Sequence, residues 1–293
     1  MKSMVTHLSS VLHHLYINPL EKCNLRCKIC YTKKTDFILT EAQIVDFVDR
    51  YQKAFDLKII TFCGGEVFAL PYFPHLINTL TARGIFVQTI TNGTINRLDE
   101  LTHPNLNNLI VSIDGLEKYH DSNRGIGNFK KSMAFLKEAR AKGFHTELFS
   151  IVTKQNYKQI EAFEDYLKKE LGDISVTYHP RKPPAYLTHH PISNIEGEVN
   201  GFDYLSENEL VEIMKIRTVF PPKDLGCYQV ALASNGIVYG CCEGYRPIGR
   251  INDSIKTLFD TLKKRIGGPC LGCCQPEFMC GIKKIVHRLQ SEV

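Results

Sequence analysis

The chain has 293 residues, 43% hydrophobic and 23% charged, which suits one large α/β domain or one such domain with a small appendix and rules out a disordered chain. No run approaches the ~20 consecutive apolar residues that a membrane-spanning helix needs, and Met1 to His7 is polar rather than the apolar core of a secretory signal. The net charge of +5 is small and scattered, so an ordinary solvated surface explains it better than nucleic-acid binding.

In chain order, short apolar runs predict strands at His14 to Ile17, Leu57 to Phe62, Ile85 to Ile90, Leu109 to Ile113, His145 to Val152 and Ile174 to Tyr178. Amphipathic stretches fall between them. Thr40 with Gln43 forms a capping box ahead of Ile44, Phe47, Val48 and Tyr51. Asn128 is placed to cap a helix carrying Met133, Phe135, Leu136 and Ala139 and ending at Gly143. Asn156 opens another with Ile160, Phe163 and Leu167, ended by Gly172, and Ser206 with Glu209 caps a helix whose apolar face is Leu210, Ile213, Met214 and Val219. Between these two, Pro180 to Tyr204 carries four prolines and little periodicity, the pattern of a lid or of a disordered loop. Further on, Tyr228 to Ala233 and Ile237 to Tyr239 flank Ser234-Asn235-Gly236, a hairpin signal with positive φ expected at both Asn235 and Gly236. Leu258 to Ile266 reads as a short helix, followed by a cysteine-rich tail.

Six strand-then-helix units in series predict a parallel sheet. Six is too few for a closed eight-unit barrel, so the fold expected is α/β, a partial (β/α)6 TIM-type barrel with reactive groups at the C-terminal strand ends. Residues 1–220 would form that barrel. Residues 221–293 would form a small cysteine-rich hairpin and helix module, too poor in apolar residues to stand without a metal.

Eleven cysteines are too many for a chain of this length to leave unexplained, and too odd in number for a disulfide framework without an export signal. A reduced, cytoplasmic setting is expected. Three lie within eight residues, Cys23, Cys27 and Cys30, and seven lie between Cys227 and Cys280. The C-x₃-C-x₂-C run follows the first strand, and three thiolates on one tight loop can hold three corners of an iron–sulfur cube. Structural zinc is the alternative, but no fourth ligand of matching spacing lies nearby.

This spacing resembles the signature of the radical S-adenosylmethionine (SAM) superfamily, and further segments follow it. Gly64-Gly65-Glu66 ends the second strand, Thr91-Asn92-Gly93 the third and Ser112-Ile113-Asp114-Gly115 the fourth, with His120-Asp121-Ser122-Asn123-Arg124-Gly125 beyond. The resemblance implies a [4Fe–4S] cluster on Cys23, Cys27 and Cys30 whose open iron takes the SAM amine and carboxylate. It implies cleavage of SAM to a 5′-deoxyadenosyl radical that abstracts a substrate hydrogen atom. Gly64 and Gly65 would let the backbone approach a ligand, and Glu66 would accept from the methionyl amine. Ser112 and Arg124 would hold the carboxylate, and Asn92 and Asp114 would lie near the adenosyl part. Two positions depart from the family pattern: Ile29 stands where an aromatic residue is common, and Val67 where proline usually follows Gly-Gly-Glu.

The later cysteines resemble the SPASM and twitch modules that hold auxiliary [4Fe–4S] clusters in this superfamily. That resemblance implies one auxiliary cluster on Cys227, Cys241, Cys270 and Cys273, with Cys280 as a substitute ligand. Two clusters, or zinc, are the alternatives. It further implies an external electron donor of flavodoxin or ferredoxin type, and a substrate that is a peptide or protein side chain or else a small molecule in cofactor or natural-product synthesis. The 22 residues ahead of Cys23 are too few for a leader-binding domain, which tells against a peptide substrate without excluding it. No nucleic-acid partner and no membrane span are expected. A non-catalytic metal module is the distant alternative, and it leaves Gly64-Gly65-Glu66 and the Ser112 to Arg124 segment without a purpose.

Overall fold

A computed structural model describes residues 12–182, 199–214, 218–219, 230–242, 247–265 and 281–284. Six parallel strands form its centre: β1 (His14–Ile17), β2 (Ile59–Phe62), β3 (Phe86–Thr91), β4 (Asn107–Ser112), β5 (His145–Val152) and β6 (Ser175–Pro180). They lie side by side in chain order in an open sheet, the arrangement of a barrel that has not closed.

One strand face is mostly apolar, with Thr89, Thr91 and Asn107 buried among its aliphatic side chains. Leu15, Ile17, Ile60, Phe62, Val87, Leu109, Val111, Leu148 and Val176 are buried there in one core. It is covered by α1 (Glu41–Ala54), α2 (Phe73–Thr81), α4 (Asn128–Ala141) and α5 (Ile160–Leu171), through side chains such as Phe47, Leu76, Phe135 and Phe163. A short α3 (Glu117–Arg124) precedes α4, and α6 (Glu207–Met214) follows β6. The third crossover differs from the strand-then-helix pattern. It uses only 3₁₀ turns at Leu98–Glu100 and Pro104–Leu106, because the 15 residues from Asn92 to Leu106 must hold a turn at Gly93 and a helix-breaking proline.

The opposite strand face mixes Phe86, Ile90, Ile110 and Phe149 with a polar stripe. Parallel register sets Tyr16, Thr61, Gln88 and Asn108 in one row. Thr61 Oγ1 donates to Gln88 Oε1 at 2.7 Å, so His14 Nε2, 2.7 Å away, carries the hydrogen and donates to Thr61. Asn108 Nδ2 donates to Glu147 Oε1 at 3.2 Å. Burial lowers His14 to about 4, so the ring is neutral at neutral pH.

Several local expectations are corrected. The Thr40–Gln43 capping box forms, as does that of Ser206 with Glu209. Asn128 does not cap α4. The cap residue is Gly127, and the free amides of Gly127 and Phe129 are taken by the Asp121 carboxylate at 2.6 and 2.8 Å. Asn156 does open the next helical stretch, a 3₁₀ turn (Tyr157–Gln159) that runs into α5, but its side chain serves the strand ends, donating to the Asp114 and Ile151 carbonyls at 2.7 and 3.0 Å. Val219 belongs not to α6 but to a short strand, β7 (Thr218–Val219).

The predicted hairpin is β8 (Val230–Leu232) and β9 (Ile237–Tyr239), but Gly236 alone takes positive φ, at +77°. Gly236 N donates to Ala233 O and Ala233 N to Ile237 O, both at 2.9 Å. With three residues in the loop, Ser234 and Asn235 make an ordinary turn and only the last residue is left-handed. β10 (Pro247–Arg250), α7 (Ile255–Arg265) and β11 (Ile282–Lys284) follow, α7 beginning three residues earlier than predicted. These strands continue the central sheet: β8 runs parallel beside β1, β9 and β10 extend that edge, and β11 pairs antiparallel with β6 at the other. Among the described residues no helix is long and apolar enough to cross a membrane.

Candidate active site

The cysteine loop leaves β1 and is gathered at its neck by Glu21. This side chain is fully buried and accepts from Asn18 Nδ2 at 3.1 Å, from Thr35 Oγ1 at 2.8 Å and from Ser234 Oγ of the C-terminal hairpin. The rest of the loop is pinned to α3 and to the end of β3. Lys28 N and Ile29 N donate to the backbone and side-chain oxygens of Asn123 at 3.0 and 3.3 Å. Asn92 Nδ2 donates to Asn24 Oδ1 at 2.9 Å and reaches Cys23 Sγ at 3.6 Å. Ile29 packs with Tyr119 and Phe202 in a small apolar cluster of its own.

Gly64 and Gly65 serve this docking. A Cβ on Gly64 would fall 2.3 Å from Leu20 O, and one on Gly65 1.8 Å from Lys22 O. Gly65 N and Glu66 N in turn donate to Leu20 O and Lys22 O at 2.8 and 3.0 Å. The close approach expected toward a ligand is thus made to the stem of the cysteine loop. Glu66 is equally inward-looking. Its Oε1 accepts from Thr91 Oγ1 (2.8 Å) and Phe68 N (3.2 Å), and its Oε2 from Asn92 N (2.8 Å). Burial pushes its carboxyl upward against these hydrogen bonds. It ties the end of β2 to the end of β3 and keeps one acceptor position, on Oε2.

Asp114 and Arg124 form the electrostatic centre. Asp114 is wholly buried, with Arg124 Nε on Oδ2 at 2.7 Å and Nη2 on Oδ1 at 2.9 Å. Asn123 Nδ2 and Ile151 N complete four donors, at 2.7 and 3.1 Å. Burial alone would raise the carboxyl, but the Arg124 guanidinium and these hydrogen bonds hold it below its ordinary value. Arg124 is pushed further upward by the same pair despite its own burial. The fork grips Asp114 through Nε and Nη2, and Nη1 makes no hydrogen bond among the described residues. Ser112 ends β4, half-buried, with a hydroxyl likewise unbonded there. Behind the pair, His120 Nδ1 accepts from Asp114 N at 3.3 Å, and burial lowers the ring to about 4.

Burial raises the Cys27 thiol to about 11; neighbouring Cys30 and Cys23 push it the same way, and Arg124 opposes them. The three sulfurs and the guanidinium thus share one electrostatic environment. A metal that displaces the thiol proton relieves that burial cost, since a coordinating thiol is deprotonated. Among the described residues no three His, Cys, Asp or Glu side chains converge on a point that would hold a single ion. In a cube each thiolate takes its own iron, and three half-buried cysteines around one short loop fit that donor set.

Structure therefore brings together Cys23, Cys27, Cys30, Gly64, Gly65, Glu66, Asn92, Asp114 and Arg124. Cys241 sits half-buried just beyond β9; Cys227, Cys270, Cys273 and Cys280, and most of the Pro180 to Tyr204 loop, lie outside the described residues. Glu21, Asn123 and Asn156 were not assigned from sequence. Each has a partner far along the chain, from 14 to 213 residues away, and no local pattern signals such contacts.

A sequence profile of the radical SAM superfamily matches residues 17–167, just over half of the chain. Fe-coproporphyrin III synthase of Methanosarcina barkeri is 29% identical over 174 residues, covering 55% of this chain and 42% of the relative. The antilisterial bacteriocin subtilosin biosynthesis protein AlbA of Bacillus subtilis is 25% identical over 174 residues, covering 57% and 39%. The match thus spans about two fifths of each of these relatives. In fold, native anSMEcpe with bound AdoMet superimposes with a TM-score of 0.69 at 18% identity, over 86% of this chain and 82% of that one. With its cysteine loop and strand-end segments assembled on an open parallel barrel, the chain belongs to the radical SAM superfamily.

Proposed function

We propose that this chain is a radical SAM oxidoreductase that modifies a peptide or protein side chain by hydrogen-atom abstraction, forming an oxidised or cross-linked product. Cys23, Cys27 and Cys30 would hold a [4Fe–4S] cluster with one iron open to SAM. The bound pair would supply one-electron cleavage of SAM to a 5′-deoxyadenosyl radical, reactive enough for an unactivated C–H bond. Ser112 and the Nη1 edge of Arg124 would take the SAM carboxylate, an anion suited to a guanidinium. Asp114 would act beneath them by fixing the plane and charge of Arg124. Gly64 and Gly65 would set the loop against the strand ends, Glu66 would offer Oε2 toward the amine, and Asn92 would border the nucleotide.

Residues 1–220 would form the catalytic barrel. Residues 221–293 would carry an auxiliary [4Fe–4S] cluster on Cys227, Cys241, Cys270 and Cys273, with Cys280 in reserve, taking up the electron left on the substrate. An external donor of flavodoxin or ferredoxin type would supply the reducing electron.

The observation that carries this reading is the docking of the cysteine loop onto Asn92, Asn123 and Gly65, next to a buried Arg124 with one edge unspent. The bacteriocin-biosynthesis relative supports a peptide substrate. A small-molecule substrate is the second reading, favoured by the polar stripe of Thr61, Gln88, Asn108 and Glu147 and by the Fe-coproporphyrin III synthase relative. Anaerobic incubation with SAM and a low-potential reductant should release 5′-deoxyadenosine, and Cys23→Ala should abolish the release. Two clusters predict about eight iron and eight sulfide per chain; about four of each would remove the auxiliary one. Absence of 5′-deoxyadenosine from a fully loaded, reduced protein would overturn the proposal. Mass-scanning candidate peptides against porphyrin-like molecules for loss of two hydrogens separates the two substrate classes.

A further inference from the structure

We infer that Lys34 raises the reduction potential of the cluster held by Cys23, Cys27 and Cys30, through a cationic hydrogen bond to Cys30 Sγ. This rests on the cluster assignment proposed above and adds to it a residue outside the signature.

The three sulfurs are served unequally. Cys23 Sγ accepts from two neutral donors, Leu25 N at 3.4 Å and Asn92 Nδ2 at 3.6 Å. Cys27 Sγ accepts no hydrogen bond among the described residues. Cys30 Sγ lies 3.3 Å from Lys34 Nζ, so one corner of the set faces a full positive charge. That charge is not neutralised by a neighbour: Lys34 makes no ion pair among the described residues, whereas Lys22 is paired with Asp36 at 2.8 Å. Nor is its position accidental. Thr35 is tied to the buried Glu21 at 2.8 Å, which fixes the backbone beside Lys34 and leaves Lys33 exposed while Lys34 is half-buried against the loop.

Reduction adds an electron that spreads onto the cluster sulfurs, so an ammonium touching one of them favours the reduced state and moves the potential upward. Half-burial strengthens the effect, since the field is less screened than in open water. The hydrogen bond itself adds to this, being of the charge-assisted kind. An arginine keeps the charge at this site; a methionine keeps the stem and loses both charge and hydrogen bond.

The test is a potentiometric titration of the reconstituted protein without SAM, following the paramagnetic signal of the reduced N-terminal cluster in a Cys270→Ala background. Lys34→Met should retain the wild-type iron content and show a lower midpoint potential. Lys34→Arg should return most of the shift. Equal midpoints in wild-type and Lys34→Met proteins of equal iron content overturn this inference alone, as does an upward shift or a loss of iron confined to Lys34→Met. A background protein that assembles no cluster overturns the cysteine-loop assignment and Lys34 with it.

Discussion

Replacing Asp114 with asparagine tests the buried centre of the site most severely. Asp114 has no exposed surface, and the Arg124 side chain facing it is 11% exposed. Each carboxylate oxygen accepts from two donors: Oδ2 from Asn123 Nδ2 and Arg124 Nε, Oδ1 from Arg124 Nη2 and Ile151 N. Whichever oxygen becomes the NH₂ of asparagine, it then points hydrogens at two N–H groups, and the guanidinium loses the carboxylate it is forked onto. Removing one partner of such a pair costs about 3–5 kcal/mol, a large share of the 5–15 kcal/mol typical of a folded domain. At roughly 2–4 °C per kcal/mol for a chain near this size, the melting temperature should drop by about 10 °C.

Anaerobic urea and thermal unfolding of Asp114→Asn, Arg124→Met and the double variant would measure this. The double variant should cost less than the sum of the singles, because it removes the stranded charge. The carboxyl is lowered in the folded state, so its stabilisation is fully present above its ordinary value of 3.8 and drains as pH falls below that. A loss under about 1 kcal/mol in Asp114→Asn, or strict additivity, would refute the reasoning.

Other consequences are as specific. His14 and His120 are both lowered to about 4 by burial, so between pH 6.5 and 4 the unfolded chain binds more protons and stability should rise with pH; the urea midpoint should fall from pH 6.5 toward 5, and His120→Gln should flatten that slope. Gly65→Ala puts a methyl 1.8 Å from Lys22 O and should lower both iron retention and melting temperature. Gly84→Ala meets nothing within 4 Å and should cost only the ~1 kcal/mol of its left-handed backbone; similar losses in the two would contradict the docking role of Gly65. Asp121→Ala should destabilise by about 1–2 kcal/mol through two uncapped amides of α4, whereas Asn128→Ala should leave that cap intact, a contrast readable in denaturant titration.

Much of the barrel was legible because its signals are local: strand runs of Val, Ile and Leu, capping boxes at Thr40 and Ser206, and glycine stops at Gly143 and Gly172. The strand-end motifs were legible for a related reason, since a parallel sheet delivers all its C-terminal ends to one side. Other features depended on partners far along the chain. Asp-Gly at 114–115 reads as a turn, and only the fold reveals a buried carboxylate with four donors. Gly-Gly-Glu reads as a ligand loop, yet the glycines face Leu20 and Lys22, because the first strand's exit happens to pass there. The capping of α4 by Asp121 was hidden by a nearer candidate, Asn128. The third crossover lost its helix to length and to Pro104. The seating of β8 beside β1 joins residues more than 200 positions apart, which no periodicity encodes.

That last pairing fixes an order of events in biogenesis. Glu21 holds the neck of the cysteine loop with the help of Ser234, so the nest for the N-terminal sulfurs is incomplete until the hairpin has left the ribosome. At about 5–20 residues per second, translation reaches that point some ten to forty seconds after Cys23 is made. Throughout that interval the β1 edge that β8 will cover is still without that partner. Closure of the neck around the cysteine loop is then a late event, dependent on a segment more than 200 residues downstream.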